Sequence, residues 1–471
     1  MLRLLVCTGI VLAGCLAGHA RAQAPRPEGE EFFFIPPGFH QEGLPRTVAG
    51  ENTGTVKITV VDQATGKPTP CRIAVVAADG QFYQPAKNRL SPYGLTGKWP
   101  TKGDWGNRAE KAPWRYLGRY FYSTGTTEVQ VPPGTVRIEV SKGWEFAPVW
   151  RSVEVVAGQN LAEQLTLQRT VPMHEHRYFN GDIHLHFPRA SREDDDLVFD
   201  LLDAEDIQYG TLLAYNEPAG PYSGAMTTMD SPQYRGYGEK SLRTRGLTSI
   251  LSGQEYRSAH YGHIMYYLRD RLVHEGHEFN IDEGGGFGPT SADVLADGGL
   301  VVYAHGGYAM EIYADAALGN VSGVELLQFG IYRPIGLEGW YQMLSTGYRL
   351  PAYGACDFPA CRFLGDCRTY VWTAQSAEDR PSLPDWLKAS VRGQSFISTG
   401  PMLLMEVRGR RPGESLKLTG KQSHEIPVSL RVRCEVTPVQ QLDLIVNGAT
   451  VERIPIPAEK ARGAWFEVQR V

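Results

Sequence analysis

Residues 180–187 read NGDIHLHF and place His184 and His186 one residue apart in an apolar stretch. In a β-strand, successive side chains point to opposite faces, so these two imidazoles share one face. Two converging imidazoles are candidate metal ligands. An isolated pair is more often structural, and the nearby pair His174 and His176 lies in a polar linker that we interpret as solvated. The interpretation therefore depends on the residues that accompany the pair.

Four further residues in this part of the chain can bind divalent metals. Glu255 and His263 lie in SGQEYRSAHYGHIMYYL, where the first is expected at a turn and the second at the start of an apolar strand. His305 ends the run GGLVVYAH, and Asp357 follows RLPAYGAC. In parallel βα folds, functional residues collect at the C-terminal ends of strands. Imidazoles combined with carboxylates suit zinc, manganese or iron, so this set predicts a metal site.

The periodicity of apolar residues changes twice along the 471-residue chain. Residues 53–169 alternate apolar and polar positions, which predicts an antiparallel β-sandwich similar to carboxypeptidase-regulatory-like modules. In residues 170–403, apolar runs alternate with helix-like segments such as 196–206, which favours an α/β domain with a mainly parallel sheet or barrel. Residues 404–471 return to alternation and predict a small C-terminal β-domain.

The N-terminus has the layout of a secretory signal peptide, with one arginine, an apolar run and Ala20-Arg21-Ala22 before Gln23. Cleavage after Ala22 would make residues 1–22 the signal and residues 23–52 an extended leader. The alternative is a lipobox at residues 12–15, which would leave Cys15 as a lipid anchor. Both predict an exported protein, periplasmic or extracellular, and no later stretch has the roughly 18 apolar residues of a membrane helix.

Charge and cysteine content narrow the function classes. The formal net charge is −5, from 47 basic and 52 acidic residues, and the chain has no long Lys/Arg run, so nucleic-acid binding is disfavoured.

Export would permit disulfides, and a local bridge is conceivable among Cys356, Cys361 and Cys367. Their spacing is not that of a zinc ribbon, and one structural bridge beside buried free thiols is expected.

The order of several motifs resembles a known family. HLH, GQEYRSAHYGH, YAHGG, GACDFPACRFLGDCRTYVW and RGQSFISTGP follow one another as in the PHP superfamily of metallohydrolases, in particular its CehA/McbA branch, named for carbaryl hydrolases. The resemblance covers roughly half of the chain, from about residue 177 to 403. It implies a distorted (β/α)7 barrel with metals at the C-terminal rim of its strands, flanked here by the two β-domains.

The resemblance also implies a set of metal ligands, which are His184, His186, Glu255, His263, His305 and Asp357. Glu255 matches the carboxylate that bridges two metals, and His260 is a neighbouring competitor for His263. Many members hold a third metal with two more histidines, but the corresponding segments here read AYNE (214–217) and DFP (357–359). We therefore expect at most two divalent ions, of zinc, manganese or iron.

A paired metal site would lower the pKa of a bound water toward about 7 and use the resulting hydroxide as the nucleophile. Arg368 and His260 are candidate catalytic residues that stabilise developing negative charge, while Asn216 and Tyr303 are candidate substrate contacts. We expect a hydrolase of an ester, amide, carbamate or phosphoester bond in a small-molecule or glycan-linked substrate. The alternative is a noncatalytic binding or surface protein derived from such an enzyme.

Overall fold

The computed structural model describes residues 3–5, 45–94, 120–215, 233–258, 261–273, 286–306, 311–328, 331–332, 335–358, 361, 363–376, 378–420 and 422–471. The predicted signal peptide and Cys15, most of the predicted leader, and both Asn216 and His260 lie outside these ranges, apart from the short strand β1, Arg3–Leu5. Within the described ranges, no helix has the length and apolarity needed to cross a membrane.

The N-terminal part forms a β-sandwich. Its strands are β2 Gly54–Asp62, β3 Cys71–Val76, β4 Phe82–Tyr83, β5 Phe121–Ser123, β6 Thr126–Val131, β7 Gly134–Ser141, β8 Phe146–Ala147, β9 Val149–Val155 and β10 Asn160–Arg169. One sheet has the order β6-β2-β10-β8, and the other has β4-β3-β7-β9 with β5 beside β3. The alternating Val56, Ile58 and Val60 point into a shared core with residues of the second sheet such as Ile138, as the pattern predicts. The strands β2 and β10 are parallel, so the sandwich is not wholly antiparallel as expected.

The central part is built around one large sheet. Its elements are β11 Tyr178–Leu185, α1 Arg192–Ala204, β12 Tyr209–Tyr215, β13 Gly238–Arg245, β14 Thr248–Ser258, β15 Gly262–Tyr267, α2 Gly288–Ala296, β16 Leu300–Tyr303, α3 Ile312–Leu318, β17 Gly323–Gln328, β18 Ile331–Tyr332, α4 Gly336–Ser345, β19 Ala352–Ala355, β20 Arg368–Trp372, α5 Leu383–Ser390 and β21 Ser395–Ser398. The main order is β18-β17-β16-β15-β14-β12-β11-β20-β21, with β13 beside β14 and β19 beside β17. Gly354 and Thr369 exchange hydrogen bonds between β19 and β20, so the sheet curves into a nearly closed barrel.

The expected (β/α)7 barrel is therefore wrong. The described residues are mostly β with five α-helices, and the central sheet is mixed, because β14–β15, β15–β16, β11–β20 and β20–β21 are antiparallel pairs. The hairpin β14–β15 shows the reason: only residues 259–261 separate its strands, whereas a parallel neighbour needs a crossover of about a dozen residues. Apolar runs identified the strands, but they did not reveal the direction of pairing.

The C-terminal strands are β22 Met402–Val407, β23 Ser415–Lys417, β24 Val428–Arg433, β25 Gln441–Val446, β26 Ala449–Pro455 and β27 Phe466–Arg470. They form a β22-β24-β27 sheet and a β25-β26 hairpin, while β23 pairs with β1. The cysteines of the described residues are buried free thiols, so the expected structural bridge is not formed.

Buried charges join the sandwich to the barrel. Glu205, directly after α1, accepts a hydrogen bond from the Tyr122 hydroxyl of β5 at 3.0 Å and lies 3.4 Å from Nε of Arg72 in β3. Beside it, Arg169 at the end of β10 binds Asp206 and Glu145 at 2.6 and 2.7 Å. The contact between the sandwich and the barrel thus contains a network of ion pairs as well as apolar side chains.

Candidate metal site

Two groups of three side chains lie next to each other, and one carboxylate of the second group faces both. The first group is His184, His186 and Asp357, and the second is Glu255, His263 and His305. In the first, Oδ1 of Asp357 lies 3.3 and 3.1 Å from the Nε2 atoms of the two histidines. In the second, Oε1 of Glu255 lies 2.9 Å from Nδ1 of His263 and 3.3 Å from Nε2 of His305.

Glu255 faces both groups at once. Its Oε2 atom is 3.1 Å from Nε2 of His186, and its Oε1 atom is 3.6 Å from Nε2 of His184. The carboxylate therefore has one oxygen, Oε2, beside the first triad and the other, Oε1, beside nitrogen atoms of both triads. This is the arrangement expected of a carboxylate that bridges two cations, and all six residues chosen from the sequence come together here.

Local backbone structure places these side chains. Glu255 lies within β14, not at the expected turn, and the β14–β15 hairpin brings His263 close to it. His305 and Asp357 follow the ends of β16 and β19 with φ angles of 74° and 54°, a left-handed conformation that non-glycine residues rarely adopt. Such conformations cost free energy and cluster at functional sites, where surrounding structure enforces them.

The ring nitrogens of the first triad are arranged for a cation. Nδ1 of His184 lies 3.2 Å from both oxygens of Glu325, and Nδ1 of His186 lies 3.2 Å from the carbonyl of Leu213. These acceptors favour a proton on each Nδ1, which leaves a lone pair on each Nε2. The two Nε2 atoms nevertheless lie 3.1 Å apart. Two ligand nitrogens on one tetrahedral zinc are roughly 3.3 Å apart, so the donor set fits a metal ion.

The electrostatics of the cation-free site agree with this interpretation. Burial disfavours the charged form of His184, but the carboxylates of Asp357, Glu325 and Glu255 raise its pKa well above the usual range. Burial lowers the pKa of His305 to about 4, which keeps that ring neutral at pH 7. Without a metal, a proton on His184 supplies the positive charge that the carboxylates require. With a metal, a neutral ring is the form that binds.

Two carboxylates that sequence reasoning missed support the triads. Oδ1 of Asp182 accepts hydrogen bonds from the backbone N–H groups of His184 at 3.1 Å and Cys356 at 3.2 Å. It thereby ties the strand of the histidine pair to the segment that carries Asp357. Glu325 is completely buried in β17 and orients His184. The available signal was a charged residue inside the mainly apolar run VELLQF (324–329).

Arg257 and Tyr215 complete one wall of the site. Arg257 follows Glu255 by two residues on β14, and its Nε donates to Oε2 of Glu255 at 3.0 Å. Its guanidinium carbon lies 4.0 Å above the ring of Tyr215. Tyr215 in turn packs edge to face against His186, with 5.0 Å between ring centroids.

The structure does not bring Arg368 or Tyr303 to the metal ligands. The completely buried guanidinium of Arg368 donates from Nε to the carbonyl of Gly365 at 2.8 Å and lies 3.7 Å from Glu205 at the sandwich interface. The Tyr303 hydroxyl donates to Asp315 at 2.5 Å within an apolar cluster. These contacts do not support the expected catalytic role of Arg368 or the expected substrate contact of Tyr303.

Neither a protein-family model nor a curated protein matches this sequence. The chain is similar to the structure of a two-domain protein from Bacteroides vulgatus described as containing a predicted PHP-like metal-dependent phosphoesterase, with 10% identity, coverage of 62% of this chain and 96% of that chain, and a TM-score of 0.31. The chain is also similar to PsfC from Pseudomonas syringae, with 14% identity, coverage of 47% of this chain and 91% of that chain, and a TM-score of 0.31. GBS52, the minor pilin of Streptococcus agalactiae, is 13% identical, with coverage of 25% of this chain and 45% of that chain and a TM-score of 0.16. The chain thus spans less than half of the length of that pilin. At these TM-scores, the CehA/McbA assignment stays a prediction.

Proposed function

We propose that this protein is a metal-dependent hydrolase that binds two divalent cations. The supporting observation is that Glu255 of the second triad also faces the first, with Oε2 3.1 Å from Nε2 of His186 and Oε1 2.9 Å from Nδ1 of His263. Bound divalent ions would supply Lewis acidity and lower the pKa of a water molecule toward about 7. The expected bond is an ester, amide, carbamate or phosphoester, and export of the mature protein remains part of the proposal.

The residues of the chain contribute orientation and exclusion of bulk water. Glu325 holds a proton on Nδ1 of His184, so the Nε2 lone pair points at the site. Asp182 fixes the backbone of His184 relative to the segment before Asp357. Both carboxylates are completely buried, which keeps these contacts out of competition with solvent. Preorganised groups of this kind need no rearrangement when the substrate reacts.

The test is metal content per chain of the purified protein by elemental mass spectrometry after supplementation with zinc, manganese and iron. We expect about two equivalents, and fewer in His305→Ala, because the second triad then loses a ligand. His424→Ala is the matched control, since His424 lies outside both triads. The loaded protein is then screened against the four bond types.

No metal in any preparation would contradict the proposal. Two equivalents of metal without hydrolysis of any bond type would favour the noncatalytic binding protein instead.

A further inference from the structure

A second cavity lies between the barrel and the C-terminal sheet, away from the two triads, none of whose residues lines it. Its volume is about 400 Å³, within the range that small-molecule sites occupy. One wall comes from the start of β11 and the end of β20, where Tyr178 and Trp372 are paired across the two strands. The other wall comes from β22 and β24. The two parts of the chain thus enclose a space of the right size for a small ligand.

Charged side chains of both signs line this cavity without pairing with one another. Within the ranges that the structure describes, the side chains of four of them form no ion pair and no hydrogen bond, and these are Glu175, Arg177, Glu406 and Arg411. A fifth, Arg431, is matched by Glu467, with 2.7 Å from Nε to Oε1. Burial lowers the pKa of His176, which also lines the cavity, so that ring is neutral at pH 7. Two positive and two negative charges therefore remain unmatched.

Strand pairing keeps the carboxylate of Glu406 away from an arginine. Leu404 and Glu406 share one face of β22, where they lie opposite Arg431 and Ser429 of β24. Arg431 is also opposite Glu467 of β27, and the ion pair with that residue occupies it. On this wall, Glu406 is therefore a carboxylate that lies beside an apolar side chain and a hydroxyl group.

Trp372 holds Arg411 on the other wall. The guanidinium carbon of Arg411 lies 4.5 Å above the ring of Trp372, and the residue is only partly exposed. Stacking uses the face of the guanidinium and leaves the N–H groups on its edge for hydrogen bonds. Water satisfies a fully exposed charge, but a partly buried charge in a protein is normally paired. Glu406 lines the same cavity and yet does not pair with Arg411, so the fold keeps an acid and a base apart here.

We propose that this cavity binds a small zwitterion that carries a carboxylate and an ammonium group, as free amino acids do. Arg411 donates two parallel hydrogen bonds to the carboxylate, and Glu406 accepts from the ammonium group. A ligand without net charge preserves the balance of the cavity, whereas a simple anion or cation leaves charges of one sign unmatched. Leu404 and Trp372 provide apolar surface for the rest of the ligand. This site does not depend on the proposed hydrolase function.

The experiment is calorimetric titration of an amino acid into the full chain. The probe is the proteinogenic amino acid that raises the melting temperature most, and its N-acetyl and C-terminal amide derivatives each lack one of the two charges. We compare the unaltered chain with Arg411→Met and Glu406→Gln. The matched controls are Arg271→Met and Glu338→Gln, at exposed positions that do not line the cavity.

In the unaltered chain, each derivative should bind about tenfold more weakly than the free amino acid, because one charge-assisted hydrogen-bonding partner is lost. Arg411→Met should bind the free amino acid more weakly by a similar factor and no longer discriminate against the amide. Glu406→Gln should no longer discriminate against the N-acetyl form. Both control variants should bind all three compounds as the unaltered chain does.

Three results would overturn the inference. The first is that no amino acid binds. The second is that both variants discriminate against the two derivatives as strongly as the unaltered chain does, which would place the zwitterion elsewhere. The third is that a neutral sugar or inorganic phosphate binds in place of amino acids and loses affinity in Arg411→Met, which would assign the cavity to another class of ligand.

Discussion

The Nε2 atoms of His184 and His186 lie 3.1 Å apart, although the Nδ1 atom of each ring already faces an oxygen acceptor. The carboxylates of Asp357, Glu325 and Glu255 require positive charge at this point, and a shared divalent cation supplies more of it than a proton on His184 does. The folded protein should therefore bind divalent ions far better than the unfolded chain does.

The first prediction follows from this difference. Zinc or manganese should raise the melting temperature, and a chelator should lower it, because a ligand at 100 times its dissociation constant stabilises the fold by about 2.7 kcal/mol. Differential scanning calorimetry measures the shift. His184→Ala should reduce the shift, because only the second triad keeps all its ligands, and His424→Ala should retain the full shift. Identical melting temperatures with metal and with chelator would refute the prediction.

Glu325→Gln should weaken metal binding without unfolding the protein. The amide has the shape of the carboxylate but loses the charge that holds the proton on Nδ1 of His184, and such changes around a metal ligand cost about 10- to 100-fold in affinity. Competition with a chromogenic chelator measures the affinity. Glu338→Gln, an exposed position on α4, is the control. Equal affinities in both variants would mean that Glu325 does not orient the ring.

Arg368→Met should reduce stability and leave metal content unchanged. Removal of one partner from a completely buried ion pair leaves Glu205 with less compensation, at a cost of about 3–5 kcal/mol. Urea denaturation of the metal-loaded protein measures the loss. Arg151→Met breaks an exposed pair with Glu163 and should cost at most about 1 kcal/mol. Loss of metal at unchanged stability would instead support the expected role of Arg368 at the metal site.

Glu145 gives a prediction about pH. Burial raises its pKa to about 7, despite the opposing effect of Arg169, from 4.5 for the free side chain. Between these pH values the folded state binds more protons than the unfolded state, so this group makes the free energy of unfolding fall as pH rises. Glu145→Gln should remove that contribution and flatten the profile between pH 5 and 7, which chemical denaturation at several pH values measures. Parallel profiles for the two proteins would exclude this role.

Part of the site could be predicted from sequence because its ligands are chemically distinctive. The alternation in NGDIHLHF placed both histidines on one face, and the runs before His305 and Asp357 located strand ends. The role of Glu255 as the shared carboxylate came from the family resemblance. The direction of strand pairing follows from the length of each connection, and because Glu255 was expected at a turn, the short connection between β14 and β15 was missed.

The positions that Tyr303 and Arg368 take in the fold have separate causes. Tyr303 and His305 would share a face in a regular strand, but the positive φ of His305 breaks the alternation. The direction of His305 therefore gives no information about Tyr303, which lies in an apolar cluster and donates to Asp315. Arg368 begins a strand whose two faces are both buried, so sequence did not distinguish the inner face from the one that meets Glu205. Long-range packing decides both cases.

The ion network between the sandwich and the barrel makes each part depend on the other for its stability. Glu205 belongs to the barrel, while its partners Arg72 and Tyr122 belong to the sandwich, and Asp206 depends on Arg169 in the same way. Neither part can be exchanged or expressed alone without exposing acids or bases that were matched across the contact. Although the sandwich contributes none of the six metal-binding side chains, it belongs to the same folding unit as the barrel, so exchange of the sandwich alone should destabilise the protein.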